Sequence, residues 1–189
     1  MSARFNHNAA GFSLLEVTIA VCIMAGALVT LGQMLGISVA NNRSAQGLTY
    51  ATVLAEQKVE QLRGLSLGFD TVGSSVTDTT TNTAAPVETS TGGTGLSASP
   101  AGTLTRNTDG WVDYVDRSGN VLGGGSSPPP KTAYIRRWAI EPLATNPDNT
   151  VTIQVLVTTS RRASADAAGS PNQWPDGVRL VTVKTRKAQ

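Results

Sequence analysis

The sequence predicts an α+β fold in which a long amino-terminal helix is covered over part of its length by a small antiparallel sheet. Three observations predict it. Residues 17–42 form an uncharged run of 26 residues, and helical spacing of apolar residues then continues to Arg63. After Trp111, short stretches of alternating apolar residues are separated by turn residues. The chain has 189 residues, 40% of them hydrophobic and 5% aromatic, enough for about one domain besides the apolar run. A large multidomain enzyme is excluded.

The apolar run comes first. At about 1.5 Å of rise per residue a helix of this length spans roughly 39 Å, more than the ~30 Å hydrocarbon core of a bilayer. Arg4 and His7 precede the run and Arg43 is the first cation after it, a mild bias toward a cytoplasmic amino terminus. A secretory signal cleaved after the triplet Ser38, Val39, Ala40 would have too long an apolar core, because such cores run about 7–15 residues. A plain signal anchor accounts for the length but not for Glu16, since a carboxylate at the edge of lipid is costly and calls for a partner.

The second half of the predicted helix is amphipathic. Leu48, Ala51, Ala55, Val59 and Leu62 recur at steps of three and four, while Gln46, Glu56, Gln57, Lys58, Glu60 and Gln61 populate the other faces. Gly64 follows as a stop. Residues 12–63 therefore read as one helix about 78 Å long if straight, with 12–40 suited to the membrane and 41–64 to a covering sheet.

Residues 65–110 are dominated by Thr, Ser and Gly and carry hardly a large apolar residue after Phe69. No buried core is predicted from them, so they read as an extracytoplasmic surface loop. An adhesive or glycosylated display is the other reading. Residues 111–189 then supply the sheet. "GWVDYVD" is followed by turn residues Ser118, Gly119 and Asn120, and a loop is expected at "GGGSSPPP", residues 123–130. "TAYIRRWAIEP" places Tyr134, Arg136, Trp138 and Ile140 on one face. "TVTIQVLVTTS" aligns Val151, Ile153, Val155 and Val157, and "GVRLVTVKT" supplies a last strand before a basic tail. Short connections predict antiparallel neighbours whose apolar face covers the helix.

Few residues invite chemistry. Cys22 is the only cysteine, which excludes an intramolecular disulfide and a multi-cysteine metal site. Asp109, Asp113 and Asp116 lack the spacing of a calcium loop and read as turn and edge charges. Trp111 and Trp138 alternate with apolar residues and read as core or edge filler rather than a ligand platform. There is no GxxxxGK[ST] phosphate loop. Residues 66–116 hold six acids against Arg106, whereas 131–189 hold nine bases against four acids. The bases include Arg136, Arg137, Arg161, Arg162, Arg179, Lys184, Arg186 and Lys187. Solvated strand faces and a charged tail account for them better than DNA capture. No catalytic residue, cofactor or metal is expected.

"GFSLLEV", residues 11–17, followed by the apolar helix and "ATVLAEQKVEQLR", resembles the type IV prepilin family over residues 8–63. The resemblance implies a pilin-like fold, a leader of residues 1–11, cleavage by prepilin peptidase after Gly11 and N-methylation of Phe12. It makes Glu16 an assembly contact, one helical turn from the new amine, on its own or a neighbouring subunit. His7, the sole histidine, would leave with the leader, so no Ser-His-acid or Cys-His site could form in the mature chain. Gly32, Gly36 and Ala40 form a small-xxx-small ladder that would let neighbouring helices approach.

No proline lies between Phe12 and Arg63, where major pilins commonly carry one, and "AEQKVEQLRGL" resembles PilV-like minor pilins and GspI-like minor pseudopilins. The expectation is a minor pilin, made as an inner-membrane precursor with its carboxy-terminal domain periplasmic and then incorporated into a pilus. Its partners would be other pilin or pseudopilin subunits, prepilin peptidase and the inner membrane, without DNA. A minor pseudopilin of type II secretion and a single-pass anchor presenting a binding domain are the alternatives.

Overall fold

The computed structural model describes residues 13–69, 75–84, 92–160 and 177–186. Helix α1, Leu14–Gly64, has 51 residues. Its start is set by Ser13, whose carbonyl accepts hydrogen bonds from the Glu16 and Val17 amides at 3.0 and 3.2 Å. Glu16 thus sits in the first turn, where unpaired amide hydrogens favour a negative side chain.

The chain divides into two units, residues 1–45 and 46–189. In the first, every described side chain of α1 is exposed, and by length and composition the helix is able to cross a membrane. In the second, α1 buries Ala51, Leu54, Ala55, Lys58, Val59 and Leu62. The amphipathic reading needs two corrections. Leu48 is 38% exposed, with Leu54 in the core. Lys58, assigned to the polar faces, is fully buried. It follows Leu54 and Ala55 by four and three residues and precedes Leu62 by four, so helical geometry keeps it on the inward stripe whatever its charge.

The main sheet is built from β3 Val112–Val115, β4 Val121–Gly124, β5 Tyr134–Pro142, β6 Thr150–Thr159 and β7 Gly177–Thr185. Their order is β4-β3-β5-β6-β7, every neighbouring pair antiparallel. Trp138 pairs with Val155, which pairs with Leu180, while Asp113 pairs with Arg136, which pairs with Val157. Period-two alternation puts all of these on one face. That face and the second half of α1 form the main core, with Trp138, Ile140, Ile153, Val155 and Val157 fully buried. On the other face Val112, Tyr114 and Ile135 form a smaller cluster with Leu122. The expected loop at 123–130 starts later than predicted, because Gly123 and Gly124 complete β4.

The Thr/Ser/Gly-rich segment also differs from its reading as a coreless loop. Strands β1, Leu67–Phe69, and β2, Ser75–Thr77, pair antiparallel, and Leu67, Ala84 and Leu96 enter the main core. Two isolated leucines and one alanine achieve this, a contribution that the Thr, Ser and Gly around them hide from composition alone. Residues 70–74 and 85–91 lie outside the described residues.

The β3–β4 turn is held by Asp116. Its carboxylate accepts from the Ser118 and Asn120 amides at 2.8 and 2.9 Å and from the Asn120 side chain at 3.0 Å. These bonds, that of the Asn120 side chain foremost, hold its carboxyl below the usual range. Gly119 in this turn has φ +91°, and a Cβ there would lie 2.7 Å from the Tyr50 hydroxyl. The positive φ is what calls for glycine, since the Tyr50 hydroxyl is the far end of a side chain that can move aside.

Candidate assembly site

Two features stand out: the exposed first half of α1, and the ion cluster that fastens its second half to the sheet. In the first half, Gly32, Gly36 and Ala40 are exposed. A side chain added at Gly26, Gly32 or Gly36 would meet nothing within 4 Å, so any role of these residues in close approach concerns other chains. Thr18 donates its hydroxyl to the Leu15 carbonyl at 2.8 Å, and Thr30 to those of Gly26 and Ala27 at 2.9 Å. Both hydroxyls are therefore satisfied within the helix, as apolar surroundings demand. Glu16 is exposed. Gly11 and Phe12, the predicted processing residues, lie outside the described residues.

The second feature centres on Asp113. Arg136 grips its carboxylate with two parallel hydrogen bonds, Nε to Oδ1 and Nη2 to Oδ2, both 2.8 Å. Lys58 Nζ stands 2.7 Å from Oδ2, with both side chains at 0% exposure. Lys58 also donates to Gln61 Oε1 at 2.9 Å and to the Thr83 carbonyl. Its ammonium lies 4.3 Å from the centre of the Trp138 ring, a contact that stabilises a desolvated cation. Arg136 Nη1 reaches back to the Leu54 carbonyl at 3.2 Å and Gln57 Oε1 at 3.4 Å. One helix and two strands thus meet at a single carboxylate.

Two cations share that one anion, so the described cluster carries one excess positive charge. Burial pushes the Lys58 ammonium down from 10.5 to about 8, against the attraction of Asp113 and with the repulsion of Arg136. The sign follows from linkage. Between about pH 8 and 10.5 the folded chain binds fewer protons at Lys58 than the unfolded chain, so this group makes stability rise with pH across that window. Its contribution is on the order of 3 kcal/mol, a cost present in full below pH 8. Chemical denaturation of the full chain in detergent is expected to show greater stability at pH 9.5 than at pH 7.5. Lys58→Met should abolish that rise; an unchanged slope would contradict the assignment.

The same geometry corrects two sequence expectations. Asp113 is not an edge charge, and Arg136 does not lie on a solvated strand face. Other bases also have internal roles. Arg137 Nε donates to Asn107 Oδ1 at 2.9 Å. Lys184 Nζ donates to the carbonyls of Arg63, at 2.6 Å, and Leu65, compensating acceptors at the carboxy-terminal end of α1. Burial, followed by repulsion from Arg63, holds the Lys184 ammonium below its usual value. Arg186 Nη1 donates to the Gly68 carbonyl at 3.1 Å and its guanidinium lies over the Phe69 ring. Trp111 and Trp138 are core residues, 5% and 0% exposed. Arg161, Arg162 and Lys187 lie outside the described residues.

No protein-family model matches this chain, and neither does any curated protein or any solved structure. The class of protein defined by the fold is a long apolar amino-terminal helix whose second half packs on a small antiparallel sheet, an arrangement consistent with a pilin-like fold.

Proposed function

We propose that this chain is a minor pilin, a structural subunit of a type IV pilus or related filament. Its precursor is anchored in the inner membrane, cleaved by prepilin peptidase after Gly11 and N-methylated on Phe12. The observation that carries the reading is Glu16, which stands five residues after Gly11 in "GFSLLEV" and ahead of an uncharged run of 26 residues. After cleavage the acid is one turn from a cationic amine, and a low-dielectric setting strengthens their attraction. The exposed apolar half of α1 supports the same reading, because it offers surface first to lipid and then to neighbouring helices. The second half, locked to the sheet through Asp113, presents the sheet and the Thr/Ser/Gly-rich segment at the filament surface or tip.

Mass spectrometry of the membrane-bound chain is expected to find a methylated amino terminus at Phe12. A terminus at Met1 or Asn41 would overturn the proposal. Copurification with sheared pili, rather than retention in the periplasmic fraction, separates a pilus subunit from a secretion pseudopilin.

A further inference from the structure

The apolar half of α1 contains one amide whose hydrogen-bonding demand no described residue meets. Thr18 and Thr30 satisfy their hydroxyls on their own backbone. Gln33 is exposed, and among the described residues its side chain has no hydrogen-bond partner. It lies 17 residues beyond Glu16, about 26 Å along the helix, which is inside a ~30 Å hydrocarbon core when that core begins at the Glu16 carboxylate. An amide left unpaired in hydrocarbon costs several kcal/mol, on the order of 2–7. Helices carrying such a group pair it across to another helix.

We infer that Gln33 pairs with Gln33 of a second copy in a parallel helix dimer within the membrane. Two considerations select this occupant. Copies inserted in the same orientation hold each residue at one depth, so the group nearest Gln33 on a parallel neighbour is its own counterpart. A glutamine amide carries both donors and an acceptor, so two of them satisfy each other reciprocally.

The helix also permits the approach. At about 100° per residue Cys22, Gly26, Gln33 and Ala40 fall within roughly 40° of one another. Gly26 and Ala40 are small, and a side chain added at Gly26 would meet nothing of its own chain within 4 Å. The inference rests on the membrane-anchor part of the proposed function and not on processing at Gly11.

Cys22, the chain's only cysteine, is exposed and lies on the same stripe as Gln33, which makes it a native reporter. The full chain in membranes is treated with a membrane-permeant copper oxidant, and disulfide-linked dimer is scored on precursor and mature forms alike. Failure here therefore leaves the cleavage question open, and failure of cleavage leaves the dimer testable. The natural chain is expected to cross-link through Cys22. Gln33→Leu should weaken association by about three- to tenfold, the range of membrane interhelical hydrogen bonds, and Gly26→Leu should lower it as well. Moving the thiol to the opposite face, with Cys22→Ser and Met24→Cys together, should remove the cross-link. Absence of dimer in the natural chain, equal dimer in Gln33→Leu, or equal cross-linking from residue 24 would each overturn the inference.

Discussion

Asp113→Ala is expected to cost about 3–5 kcal/mol of stability, the range observed when one partner of a buried ion pair is removed. The substitution leaves Lys58 and Arg136 facing each other at 0% and 2% exposure without the anion that both contact. It also creates a small cavity among fully buried neighbours. For a chain of this size the melting temperature should fall by roughly 6–20 °C, measured by circular dichroism of the full chain in detergent.

Lys58→Met makes the opposite comparison. It removes the surplus cation, retains an unbranched apolar stem and leaves the two-point Arg136–Asp113 pair intact. Its net effect on stability is expected to stay within about 1 kcal/mol in either direction, since well-packed apolar replacements of buried charges are often neutral. The unpaired Thr83 carbonyl opposes a larger gain. Equal losses in the two variants would mean that the cluster acts as three interchangeable contacts rather than as a carboxylate neutralising two cations.

The predicted and observed folds agree where a pattern reports directly on burial. The alternation Val151, Ile153, Val155, Val157 recurs on one face of β6, and all four residues are in the core. The helix was legible for the same reason, its predicted range of 12–63 against Leu14–Gly64 in the structure. The ion cluster was not legible, because a charge at an inward position carries the same letter as a charge in water. Lys58 belongs to the apolar stripe by spacing and to the polar set by chemistry, and the sequence does not say which of the two prevails.

A signal was nevertheless present. Arg136 alternates with Trp138 and Ile140, Asp113 alternates with Val115, and the two charges are opposite in sign. Opposite charges on inward faces of strands are tolerated only when they meet. The contribution of Leu96 and Ala84 was less accessible still. A single leucine among Thr, Ser and Gly has no period, and its burial depends on contacts made far along the chain.

Glu16→Ala is expected to reduce incorporation into filaments by roughly a hundredfold, the equivalent of about 3 kcal/mol lost when a desolvated amine is left without its acid. Cleavage after Gly11 should continue, because in the proposed reading the carboxylate acts on the product of cleavage, not on the bond that is cut. Stability of the second unit should also be unchanged. Glu16 lies in the first turn of α1, outside the unit that contains the sheet and the Asp113 cluster. Three measurements separate the possibilities: the mature amino terminus, the thermal unfolding of the full chain, and immunoblotting of sheared filaments. Loss from filaments with a correct terminus and a normal melting temperature assigns Glu16 to assembly. Normal incorporation would defeat that assignment. Asp at this position tests geometry as well as charge, since shortening the side chain by one methylene retains the anion while drawing it away from an amine one turn along. If Glu16→Asp recovers less than half of the natural incorporation, the contact is a directed pair and not a general preference for negative charge at a helix start.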